Sequence, residues 1–201
     1  MLTASYYLKQ GNFIEADRFL GYLRDDYADS PHLENAMVMG TAVKQAAYQG
    51  PLYDNTPLVA AENLSERSLA LFPNSEARSK MKDNLNRIYV LKAQAAWAEV
   101  DLWQRKGNLA AVAINCRKVI EEFPDTRYAN LARAKFLGIP PPEYQHLPGM
   151  REFAQYLRDT PAPANDSPSN GQPNTTDRPR TRSVSQPSGW ANPFRLLGGN
   201  R

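Results

Sequence analysis

One short phrase recurs three times, and it constrains the fold more than any other feature of the chain. "VIEEFPDT" runs from Val119 to Thr126, "LALFPNS" from Leu69 to Ser75, and a looser "RDDYADS" from Arg24 to Ser30. Each places an aromatic residue before a small turn-forming pair and then a Ser or, in "VIEEFPDT", a Thr. Pro73 and Pro124 disfavour helical backbone in the aromatic residue before them. Asn74 or Asp125 then turns the chain. Ser75 or Thr126 can accept from the free N–H groups of a following helix. In the first copy Ser30-Pro31 offers a cap and a first-turn proline. The phrase therefore stops one helix and starts the next. Its aromatic is expected to plug the space between neighbouring hairpins.

Sixteen residues before Tyr27, Phe72 and Phe123 stand Gly11, Thr56 and Gly107. In this register Phe13, Leu58 and Leu109 coincide, as do Ala16, Ala61 and Val112, and Leu23, Ser68 and Val119. Apolar residues step by three and four, the mark of one buried helical face. In the third copy that face includes Leu109, Val112, Ala113, Cys116, Val119, Ile120 and Phe123. Asn12, Thr56 and Asn108 are the expected N-caps. Pro57 would stand at the first helical position, where its missing N–H is harmless.

Other helices are expected between these copies. Leu33 to Tyr48 reads as one. Ser75 to about Arg105 contains neither Gly nor Pro, and its stripe of Met81, Leu85, Ile88, Ala95, Val100 and Trp103 predicts a buried helix of roughly 45 Å. Tyr128 to Leu137 reads as a shorter one. The alternation predicts an all-α, tetratricopeptide-like solenoid of antiparallel hairpins over residues 1–138. The usual repeat is about 34 residues. Here the aromatics are 45 and 51 apart, so the repeat is an extended variant with an inserted loop, "YQGPLYDNTP". Residues 139–160 are expected to be a Pro-rich connector with a short helix, Met150 to Thr160, whose Phe153, Tyr156 and Leu157 share one side. Residues 161–201 are rich in Pro, Asn, Ser and Arg and predict a disordered tail.

The tail carries five arginines against Asp166 and Asp177, which accounts for the whole net charge of +3 and leaves residues 1–160 neutral. A neutral body argues against a nucleic-acid partner. The lone Cys116 excludes an intrachain disulfide, and its place on the apolar stripe suggests a buried small hydrophobe. His32 and His146 lie in turn regions near proline and read as surface residues. No catalytic or metal-binding motif is present, so no enzyme activity, metal or cofactor is expected. Arg24 to Asp26 and Glu121-Glu122 read as solvated faces. The helix before Gly11 is short, and "LTASYYL" lacks the polar outer face of a capping repeat. This predicts that further sequence precedes Met1.

Three segments together resemble a known family. They are "GNFIEADRFLGYLRDDYADSPHLENAMVMG", "AAYQGPLYDNTPLVAAENLSERSLALFPNS" and "LNRIYVLKAQAAWAEVDLWQRKGNLAAVAINCRKVIEEFPDTRYANLARA". Over residues 2–137 they are similar to the C-terminal part of the BamD-type outer-membrane assembly lipoproteins, a tetratricopeptide family of bacterial envelopes. The resemblance implies a non-enzymatic scaffold on the periplasmic face of the outer membrane. It implies barrel-inserting machinery and unfolded outer-membrane protein segments as partners. It also implies a signal peptide and a lipidated N-terminal Cys, which this chain does not contain. Membrane association would therefore need an anchor upstream. The alternative is a soluble adaptor, in the cytoplasm for example, that recruits partners through its repeats and tail. Candidate partner-binding residues are Tyr48, Tyr53, Arg87, Tyr89 and Trp97 in the repeats, with Trp190 and Phe194 in the tail peptide "GWANPFRLL".

Overall fold

Local turn chemistry places the helix boundaries. Gly11 and Gly107 adopt left-handed backbone, with φ of 74° and 73°, which a residue with a Cβ adopts only at a cost. Each hands the chain to an asparagine. Asn12 accepts from the Glu15 N–H at 3.2 Å and Asn108 from the Ala111 N–H at 2.9 Å. Thr126 does the same for the Ala129 N–H at 3.3 Å, while its own hydroxyl donates to the Phe123 carbonyl.

The computed structural model describes residues 1–160 and places eight α-helices there. They are α1 (Leu2–Lys9), α2 (Phe13–Asp26), α3 (Leu33–Ala47), α4 (Thr56–Leu71), α5 (Arg78–Arg105), α6 (Leu109–Glu122), α7 (Arg127–Leu137) and α8 (Met150–Asp159). A single 3₁₀ turn covers Pro141–Glu143. Among the described residues there is no strand. Each helix from α1 to α7 packs against the next, and α5 also touches α7. The fold is an all-α, tetratricopeptide-like stack of helical hairpins. The disorder expected of residues 161–201 lies outside the described residues.

The repeat register holds in three dimensions. Ala16, Ala61 and Val112 are all fully buried. Four residues further on, so are Leu20, Ser65 and Cys116. Ser65 is the polar member of that set and must be satisfied internally. Its hydroxyl donates to the Ala61 carbonyl at 2.7 Å and lies 3.3 Å from Thr41 Oγ1. Thr41 in turn donates to the Met37 carbonyl at 3.2 Å.

The largest core cluster joins α5, α6 and α7 to the segment that follows. Ile139, Tyr144, Met150, Phe153, Ala154 and Leu157 are all part of it. The stretch read from sequence as a connector thus contributes to the same core as the hairpins. Arg133 of α7 holds the end of α8, donating to the Leu157 and Thr160 carbonyls.

Several local expectations are corrected. Thr56 does not cap α4. It is the first helical residue, and Asp54 Oδ1 accepts from its N–H at 2.9 Å. The long helix starts at Arg78, because Ser75 turns back to accept from the Ala77 N–H at 2.9 Å. Tyr27 does not plug the stack. It is 66% exposed, whereas Phe123 is buried against Tyr89, ring centroids 5.3 Å apart. On α8 the inward residues are Met150, Phe153, Ala154 and Leu157, spaced three and four apart, and Tyr156 faces solvent. Arg24 is not solvated. Its side chain is 10% exposed and pairs with Asp17 at 3.1 Å, while Lys44 reaches the same carboxylate at 2.7 Å.

Candidate functional site

The loop between α3 and α4 is held at both ends. Its first residue, Tyr48, packs against Leu58, Ala61 and Ile88. The Tyr48 hydroxyl is buried and has no hydrogen-bond partner among the described residues. Burial, with a smaller contribution from Tyr128, pushes the phenol up to about 12. At the other end Asp54 accepts from both the N–H and the hydroxyl of Thr56. Those two bonds favour its charged form and lower its pKa. Between them the Tyr53 N–H donates to the Gly50 carbonyl at 3.1 Å, and Gly50 adopts a φ of 127°. Leu52 and Tyr53 project from this pinned turn and are 68% and 62% exposed. An anchored loop with two exposed apolar side chains can seat on a partner surface at little ordering cost.

The other sequence candidates fall into different settings. Arg87 is exposed on α5. Tyr89 is half-buried, and its hydroxyl donates to the Glu122 carbonyl at 3.4 Å. Desolvation, then the nearby Asp125 carboxylate, raises its pKa. Trp97 packs against the main core, and Lys135 Nζ lies 5.2 Å from its ring centroid. Trp103 is also half-buried, with Lys106 Nζ at 4.7 Å from its centroid. Among the described residues no hydrogen bond, ion pair or ring contact joins any two of Tyr48, Tyr53, Arg87, Tyr89 and Trp97. Trp190 and Phe194 lie outside the described residues.

Leu52 was not singled out from the sequence. The available signal was its place beside Gly50-Pro51, where a turn puts the next side chains outside. Cys116 is fully buried, and desolvation pushes its thiol up to about 12. Such a thiol is inert as a nucleophile at neutral pH. Among the described residues no three His, Cys, Asp or Glu side chains gather as a metal site, and no helix is long and apolar enough to cross a membrane. An open cleft of about 650 Å³ lies between α6 and α8, lined in part by Arg117, Glu121, Phe153 and Tyr156. Arg117 on its wall donates to Glu121 at 2.7 Å, with its guanidinium 5.3 Å from the Phe153 centroid.

No protein-family model matches the chain, and no curated protein matches it either.

Proposed function

We propose that this protein is a non-enzymatic scaffold that docks other polypeptides during outer-membrane protein assembly in a bacterial envelope. The observation that carries docking is the pinned α3–α4 loop with its exposed Leu52 and Tyr53. Burying two such side chains is worth about 1.5–3 kcal/mol each, enough to anchor a transient complex. Support for the envelope setting comes from the resemblance of residues 2–137 to the BamD-type lipoproteins. On that reading the partners are the barrel-inserting machinery and unfolded segments of outer-membrane proteins, bound on the periplasmic side.

The test is binding of the purified protein to an unfolded outer-membrane barrel protein and to the barrel-inserting complex. Leu52→Ala with Tyr53→Ala alters exposed side chains only, so the helical spectrum should be unchanged. Affinity should fall about tenfold or more. Unchanged affinity would overturn the loop as the docking element. Native protein found unmodified in the soluble fraction, without affinity for either partner, would instead support an adaptor in another compartment.

A further inference from the structure

Cross-helix contacts fix the level of the hairpins around the α3–α4 loop. Lys44 of α3 meets Asp17 of α2 at 2.7 Å, Ser65 of α4 lies 3.3 Å from Thr41 of α3, and Lys92 of α5 meets Glu62 of α4 at 2.8 Å. Counted outward along antiparallel helices, these contacts set the end of α3 beside the first turn of α2. They set the start of α4 beside Ala98 of α5. From that level α5 continues for about 10 Å to Arg105. The α1–α2 turn, the α3–α4 loop and the α5–α6 turn therefore lie along one edge. With neighbouring helices about 8–10 Å apart, the three turns span on the order of 20–30 Å.

Cations flank the loop on this edge. Lys9 is exposed at the α1–α2 turn, and Arg105 and Lys106 are exposed at the α5–α6 turn. None of them forms an ion pair among the described residues. Glu15 and Asp101 are already paired with Arg18 and Lys135, and Asp54 is engaged by Thr56. Helix dipoles do not set the sign of the edge, because the C-termini of α1, α3 and α5 stand beside the N-termini of α2, α4 and α6. Two of the cations are also held in place. Arg105 Nε donates to the Asp101 carbonyl at 3.3 Å, and Lys106 Nζ lies 4.7 Å from the Trp103 centroid. The opposite edge differs, with Asp25, Asp26 and Asp29 exposed around the α2–α3 turn.

We propose that this edge binds an extended acidic segment of another protein. Apolar residues of the segment sit on Leu52 and Tyr53, and its carboxylates meet Lys9 on one side and Arg105 and Lys106 on the other. This binding mode rests on Leu52 and Tyr53 being the docking element and adds the chemistry of what docks there. The exposed apolar tip stands between two cationic turns. A segment with apolar residues flanked by Asp or Glu therefore matches the edge in order as well as in sign. About six to nine residues of extended chain cover the span. Cations held at separate, fixed places suit carboxylates spaced along a polypeptide. A fluid anionic lipid surface would draw only on their summed charge. The same segment is repelled at the opposite edge by Asp25, Asp26 and Asp29.

Fluorescence anisotropy of the full chain with two labelled synthetic peptides tests this. Both carry Ile and Phe at the centre; one has Glu on each side and the other Gln. The Glu peptide should bind about tenfold more tightly at low salt, and its advantage should shrink as salt screens the charges. Arg105→Gln with Lys106→Gln should remove most of that preference and leave the Gln peptide unaffected, and Lys9→Gln should act the same way from the other side. Leu52→Ala with Tyr53→Ala should weaken both peptides alike. Equal affinity for the two peptides would overturn acidic selection, as would a preference indifferent to the three cations. The loop would still stand as the docking element if the Leu52 and Tyr53 changes weakened both peptides. A Glu preference that survives those changes would instead sink the loop and leave the cations as the site. Flotation with phosphatidylglycerol vesicles, without any preference between the peptides, would assign the edge to lipid and overturn the proposal.

Discussion

Arg24 Nη1 stands where a Cβ on Gly40 would project, closer than any side-chain carbon tolerates. Leu64 Cδ2 crowds the same point at 2.8 Å. The glycine in the middle of α3 thus lets α2 and α4 approach from two directions, and the buried guanidinium is neutralised by Asp17. Gly40→Ala should destabilise the protein by about 1–3 kcal/mol through overpacking, against the small gain in helix propensity. Urea unfolding would measure this. Adding Arg24→Ala should recover part of the loss if the guanidinium is the obstacle, and a double-mutant cycle would show a coupling beyond simple additivity.

Asp17 serves two cations, Arg24 at 3.1 Å and Lys44 at 2.7 Å. Asp17→Asn leaves both without a counter-charge in a partly desolvated site. The expected loss is about 1–3 kcal/mol in the same unfolding experiment. An Asp17→Asn variant as stable as the wild type would mean that solvent screens the cluster.

Cys116 makes stability pH-dependent in a defined window. Its ordinary value is 9.0, and burial raises it to about 12. Across that interval the unfolded chain has lost the thiol proton while the folded chain keeps it. Stability from this group is therefore complete below pH 9 and declines as pH rises towards 12. Wild type should lose its advantage over Cys116→Ala across this interval. At pH 8 the folded protein should react with a maleimide far more slowly than in denaturant.

Tyr48 carries a buried hydroxyl that bonds to nothing among the described residues. Tyr48→Phe removes an unsatisfied polar group and keeps the packing on Leu58 and Ile88. Stability should stay the same or rise by up to about 1 kcal/mol. Tyr48→Ala removes the packing as well and should lower the thermal midpoint clearly.

Capping residues provide a paired comparison at α4. Asp54→Ala removes the acceptor of two Thr56 bonds and should cost about 1 kcal/mol. Asn55 holds the N-cap position but makes no side-chain cap bond, and its buried Oδ1 has no partner among the described residues. Asn55→Ala should therefore be close to neutral. Equal losses at both positions, read by thermal unfolding, would contradict the observed pattern.

The sequence alone determined where most helices lie. Asn12, Asn108, Thr126 and the prolines after Phe72 and Phe123 act on backbone within three or four residues of themselves, and such short-range chemistry is written in local order. The repeat register was legible for the same reason. Ala16, Ala61 and Val112 mark one face through a period of three and four residues. Tertiary structure decided what each face meets. Tyr27 and Phe123 occupy matching places in the repeat, yet only Phe123 finds a partner ring, because Tyr89 lies across from it. Arg24 reads as a solvated charge and is buried because Gly40 of α3 leaves room for its guanidinium and Asp17, on its own helix, supplies the counter-charge. Tyr48 is half-buried against α4 and α5, and its neighbours Leu52 and Tyr53 are left as the exposed tip. Burial depends on side chains tens of residues away, and no local pattern encodes that distance.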